Sequence, residues 1–177
     1  MISRRDLLKS ATAFTLLMSC PWAQAIAKLA HPENYRLHEN HRCHQCGMMV
    51  TKYPGPKGMI TLKNNQPAMA FCSSRDMFMF ALQPQNARQI AEMVVHDMGR
   101  TDWQTPSDEF FIDAKSATFV YGTSAKGVMG PAVPGFSTPE LAQAHIDKFG
   151  GKIYRFDEIT MALLNSNAPK MKHHKHQ

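Results

Sequence analysis

Met59-Ile60-Thr61-Leu62, Asn64-Asn65-Gln66-Pro67, Ala68-Met69-Ala70-Phe71-Cys72, then Ser73-Ser74 and a run through Asp76, Met77, Phe78, Met79, Phe80 and Leu82: this stretch decides the fold. Two short apolar runs around a turn of Asn, Gln and Pro predict a β-hairpin. Ser73 or Ser74 can cap a helix, the apolar residues that follow fill it, and Pro84 stops it. A polar, Ala-containing stretch over 85–89 fits a helical turn. Residues 90–96, with Val94 and Val95, then predict a third strand. Hairpin, helix and strand make one small unit.

Downstream the same order returns. Residues 110–113, 117–121 and 132–136 read as extended. Thr138 caps a helix with Pro139 at its first position. Leu141, Ala142, His145, Ile146 and Phe149 give that helix an apolar face, and Gly150-Gly151 end it. Ile153-Tyr154 reads as a strand and 156–164 as a short helix. Residues 99–108 form a loop around Trp103, which reads as a loop-anchoring or core aromatic. The predicted class is α+β: two small ββαβ-like units packed together, over 43–100 and 110–165, after an N-terminal export signal.

That signal occupies residues 1–25. Arg4, Arg5 and Lys9 form a basic start, 7–17 a short apolar core, and Ala23-Gln24-Ala25 a cleavage site. Ser3-Arg4-Arg5-Asp6-Leu7-Leu8-Lys9 fits a twin-arginine export signal, and Leu17-Met18-Ser19-Cys20 resembles a lipobox that would lipidate Cys20. The expected compartment is the periplasm. Removing residues 1–25 takes away Arg4, Arg5, Lys9 and Asp6, so the formal charge falls from +6 to +4. That scattered charge does not mark a nucleic-acid binder. Residues 26–42 read as an irregular leader and 166–177, ending His173-His174-Lys175-His176-Gln177, as a disordered His-rich tail.

Three cysteines remain after cleavage: Cys43, Cys46 and Cys72. An odd thiol in an oxidising compartment is free, paired with another chain, or bound to something. Cys43-His44-Gln45-Cys46-Gly47-Met48-Met49 places two thiols, an imidazole and two thioethers together, and Gly47 lets the chain turn back. Cys72 stands at a strand end before a helix N-terminus, where amide donors and the helix dipole favour a thiolate. Met129, between Gly127 and Gly130, fits a tight turn that projects its thioether. His96-Asp97 reads as an imidazole with an adjacent carboxylate that can orient it. His38, His41 and His44 recur every third residue, as solvated histidines or as a cluster near the cysteines. Soft sulfur donors select Cu(I), zinc or iron–sulfur centres over hard cations. Two rivals to a copper carrier stay open: a dithiol redox enzyme using Cys43 and Cys46, and a structural zinc site of Cys43, Cys46, Cys72 and one His.

With Cys43-x-x-Cys46-Gly47-Met48, Phe71-Cys72, Asp97, Val128-Met129-Gly130, Gly135-Phe136 and Gly150-Gly151 in this order, the chain resembles the NosL family over roughly residues 41–160. The resemblance implies a periplasmic, often lipid-anchored accessory protein for nitrous-oxide reductase. Such a protein would bind one Cu(I) without catalysis and pass it to a copper-site assembly protein or the recipient cuproenzyme. It also implies two ββαβ units distantly like organomercurial lyase domains. Carried over position by position, it makes Cys46 and Met129 the foremost copper ligands, with Met48 in the motif and Cys43, Cys72 and His96 as further candidates.

Overall fold

The computed structural model describes residues 35–64 and 66–166. The export signal, Cys20, the start of the leader and the His-rich tail lie outside the described residues. The hairpin at the centre of the sequence forms strands β1 (Gly58–Leu62) and β2 (Met69–Phe71), with Gly58 opposite Phe71. Ser73 is the cap of helix α1 (Ser74–Ala81), its Oγ accepting the Asp76 N–H at 3.0 Å. Pro84 stops α1 and also opens a four-residue helix, α2 (Pro84–Ala87), because proline is suited to a first helical turn. Strand β3 (Ile90–His96) then returns along the other side of β1.

Strand β4 (Phe111–Asp113) departs from the sequence reading. It was expected with the second unit, yet it pairs with β3 and becomes the edge of the first sheet, whose order is β2-β1-β3-β4. Phe111 and Ile112 are buried there. Buried Tyr35, from the leader, lies against Phe111 and donates its hydroxyl hydrogen bond to Glu92.

Strands β5 (Thr118–Tyr121), β6 (Lys126–Gly127), β7 (Gly130–Pro131) and β8 (Gly135–Phe136) precede helix α3 (Pro139–Phe149) and strand β9 (Lys152–Tyr154). Their sheet has the order β8-β5-β9, with both neighbours antiparallel to β5. The first unit has the same plan: its first strand is central, its second and third flank it, and a helix joins those two. The short β6–β7 hairpin is an insertion in the second copy, turning at Val128-Met129. The helix expected over 156–164 is broken. A 3₁₀ turn covers Phe156–Glu158, extended Ile159 is buried, and Thr160 Oγ1 accepts the Leu163 N–H to start helix α4 (Met161–Ser166).

The two units share one core. Phe78 of α1 meets Phe119 of β5 edge-on, with ring centroids 5.0 Å apart. Alternation along β5 sends Phe119 and Tyr121 into that core, while Val120 joins Phe136 and Ala142 under α3. The sheets touch where Asp97 bridges Gly135. A Cβ on Gly135 would come within 2.8 Å of Val95 Cγ2, so the contact needs glycine. Trp103 anchors the intervening loop, its carbonyl accepting the Gly55 N–H at 2.7 Å and its ring stacked on His145. No described helix is long and apolar enough to cross a membrane.

Candidate metal centre

The chain around the cysteine pair folds back on itself. Cys43 N–H donates to the Met48 carbonyl and Gly47 N–H to the Cys43 carbonyl, both at 2.8 Å. Gly47 takes φ 75°, the left-handed conformation that glycine adopts without cost. The His44 N–H donates to the Ala70 carbonyl at 2.9 Å and pins this loop to β2. Cys72 is the residue after β2, and Asp76 lies in the first turn of α1. Loop, strand end and helix start therefore converge.

Donor atoms of Cys43, Cys46, Cys72 and Asp76 all lie within 4.8 Å of one another. The Cys46 and Cys72 sulfurs are 3.5 Å apart, too far for a covalent bond. Asp76 Oδ2 stands 3.4 Å from Cys72 Sγ and 3.8 Å from Cys43 Sγ. Cys43, Cys72 and Asp76 are buried, whereas Cys46 is half-exposed.

The four groups divide protons unequally. Cys43 is held far below the ordinary thiol range by a hydrogen bond from the Cys72 thiol, against the opposing effect of burial, with further help from the amides of Cys72, Cys46 and Gln45. Cys72 is pushed far up, because it donates to Cys43 and is buried. Burial raises Cys46, although the Met48 amide offsets part of that. Asp76 is raised by burial and by the charge of Cys43. One ready thiolate thus sits beside two thiols that a metal ion can deprotonate.

The other candidate residues have different settings. Met48 is half-buried and serves the loop through its backbone, with its carbonyl on Cys43 and its amide on Cys46. Met129 is 37% exposed at the tip of the β6–β7 hairpin. His96 is fully buried and outside the four-donor group. Its Nδ1 accepts the Lys57 N–H at 3.3 Å, Nε2 is 3.3 Å from Asp108 Oδ1, and its ring stacks on Phe111. Asp97 does not orient it: neighbouring residues of a strand point to opposite faces, and Asp97 Oδ1 instead accepts the Gly99 N–H. No histidine is in the group, so the zinc set with one His is replaced by three Cys and Asp76. His44 packs on Phe71 and Phe80, while His38 and His41 lie against each other.

Two residues escaped the sequence reading. Asp76 reads as helix filler, although its position four after Cys72, across a helix start, is the signal that places it by the thiol. Lys57 hides in the turn-rich Pro54-Gly55-Pro56-Lys57-Gly58. It is 1% exposed, and its Nζ donates to the carbonyls of Tyr53 at 2.6 Å and Pro54 at 3.0 Å. Burial lowers its pKa to about 8, while Cys72 and Cys43 pull it back up.

Paired ββαβ units, the first of which gathers three thiols and a carboxyl at one point, define an α+β protein with a cluster of donors that could hold a soft metal. The chain belongs to the NosL family, whose sequence profile matches residues 34–164. It is 43% identical over 141 residues to the copper-binding lipoprotein NosL of Stutzerimonas stutzeri, covering 80% of this chain and 73% of that protein. It is 34% identical over 125 residues to the copper-binding lipoprotein NosL of Achromobacter cycloclastes, covering 68% and 64% respectively. The crystal structure of the copper chaperone NosL from Shewanella denitrificans superposes with a TM-score of 0.72 at 44% identity, covering 75% of this chain and 99% of that one. Both the resemblance read from the motifs and the α+β fold are borne out.

Proposed function

We propose that this protein is a non-catalytic carrier of Cu(I) in the periplasm, free when its signal is cut after Ala25 and membrane-held when it is cut before Cys20 and lipidated there. It delivers copper to the assembly of nitrous-oxide reductase, through an assembly protein or the enzyme itself. The observation that carries this reading is the convergence of Cys43, Cys46 and Cys72, with all donor atoms within 4.8 Å. Thiolates are soft ligands and suit Cu(I). The half-exposed Cys46 is the ligand from which a partner's sulfur can take the ion by exchange. Met48 and the exposed thioether of Met129 serve beside the thiols during loading or release. The names of the relatives, copper-binding lipoprotein and copper chaperone, support the cargo and the anchor.

Asp76 supports a second reading. Three thiolates and a carboxylate make a tetrahedral set suited to zinc, and such an ion would stabilise the fold rather than travel. Anaerobic competition titrations on the reduced chain from residue 26 separate the two. One Cu(I) per chain is expected, held in preference to Zn(II), with Cys43→Ser, Cys46→Ser and Cys72→Ser each weakening it about ten-fold or more. Met129→Ala is expected to slow transfer to the copper-free reductase assembly. Preference for zinc, or Cu(I) binding indifferent to all three cysteines, would refute the carrier.

A further inference from the structure

Lys57 is the buried charge of the first unit that no carboxylate explains. Its hydrogen bonds go to two backbone carbonyls, and among the described residues no ion pair includes it. An ammonium out of water without a counter-charge is costly. The register shows what it faces. Gly58 pairs with Phe71 across β1 and β2, so one step outward sets Lys57 opposite Cys72. Directly opposed residues of an antiparallel pair share a face of the sheet.

The chain holds its own control. Thr118 pairs with Phe136 across β5 and β8, so one step outward sets Ala117 opposite Ser137. Capping residues Ser73 and Thr138 follow at matching positions. Thus Phe71, Cys72 and Ser73 of the first unit correspond to Phe136, Ser137 and Thr138 of the second. Where the thiol is replaced by a hydroxyl, the lysine is replaced by alanine, and both positions are buried in both copies. A lysine required by the ββαβ fold would have been kept in the second copy. A lysine that answers a charge at the thiols would not.

We propose that Lys57 is the counter-charge of the metal-loaded site and biases it toward Cu(I) over divalent ions. The inference rests on the carrier reading above. Three thiolates around Cu(I) carry two net negative charges, and the same three around Zn(II) carry one. A fixed buried cation therefore stabilises the Cu(I) complex more, since the interaction scales with the charge it meets. Lys57 acts as a positioning residue: it ligates nothing and works through the field at the sulfurs. Cys72 and Cys43 also pull its pKa upward, in keeping with the place the register gives it.

The test compares Cu(I) and Zn(II) affinities by chelator competition at pH 7 in the reduced chain from residue 26. All proteins carry Asp76→Asn, so zinc cannot add a carboxylate charge. Lys57→Gln keeps donors for the two carbonyls and removes the charge, and Lys57→Arg keeps the charge. Lys57→Gln is expected to weaken Cu(I) about ten-fold or more and Zn(II) clearly less, lowering the Cu(I)/Zn(II) ratio, and Lys57→Arg to preserve the ratio. A packing defect weakens both metals by one factor, so an unchanged ratio in Lys57→Gln overturns the proposal. If Lys57→Gln fails to fold by circular dichroism, Lys57→Met carries the same comparison with the same criterion. Wild-type protein whose Cu(I) binding ignores Cys72→Ser would refute the carrier reading itself, and the inference with it. An intact wild-type site with an unchanged variant ratio refutes only the role of Lys57.

Discussion

The three cysteines are chemically distinct because each meets a different set of donors. The Cys72 thiol and neighbouring amides lower Cys43, its thiol link to Cys43 and burial raise Cys72, and Cys46 is half-exposed. Reduced apo-protein at pH 7 is therefore expected to show the ultraviolet thiolate absorbance of about one sulfur. That signal should persist on acidification well below the ordinary thiol range and vanish in Cys43→Ser. A thiolate signal that first appears above pH 8, or one untouched by Cys43→Ser, contradicts the assignment. The cysteine pair was legible because its spacing is local. Asp76 was not: its role depends on Cys72 standing at the doorstep of α1, which only the folded hairpin sets. His96 misled for a similar reason. Its true partner, Asp108, comes from a loop twelve residues away, while sequence adjacency points to Asp97.

At the scale of elements, the two strand-to-helix junctions are twins with different duties. Ser73 caps α1 between two members of the donor group, Cys72 and Asp76, and Thr138 caps α3 with no donor nearby in sequence. Removing either cap should cost about 1 kcal/mol. Ser73→Ala is expected to lower the apo midpoint in chemical denaturation and also to weaken Cu(I) several-fold, because the first turn of α1 sets the distance from Asp76 to Cys72. Thr138→Ala should lose similar stability and leave Cu(I) affinity unchanged. Equal copper affinities in the two variants would show that the α1 cap serves the fold alone. These junctions were readable, since strand, cap, helix and stop lie consecutively in each unit. β4 was not, because its short apolar run gives no sign of which sheet edge it joins. Burial of Phe111 and Ile112 decides that, and burial is a property of the assembled core.

For the molecule as a whole, the buried histidines link stability to pH. His96 at the end of the first sheet and His145 in α3 both have pKa values lowered by burial. An unfolded chain takes up protons on these residues near pH 6.5, whereas the native protein resists them until lower pH. The unfolded state then binds more protons, so stability rises with pH across this window and is lost as pH falls below about 6.5. Cys43 adds the same sign, being ionised when folded and protonated when unfolded, while raised Asp76 opposes it. Apo-protein is expected to melt several degrees lower at pH 5.5 than at pH 7.5. Trp103 gives a local reporter, because His145 stacks on it at 5.9 Å between ring centroids and no other tryptophan follows residue 25. Trp103 emission should fall as His145 takes its proton, at a pH below that of an unperturbed imidazole. His145→Phe keeps the aromatic packing against Phe136 and Phe149. It should abolish that emission change and flatten part of the acid limb. A melting temperature that is level or rising from pH 7.5 to 5.5, or Trp103 emission unchanged by His145→Phe, would break the link between these histidines and the stability of the joined units.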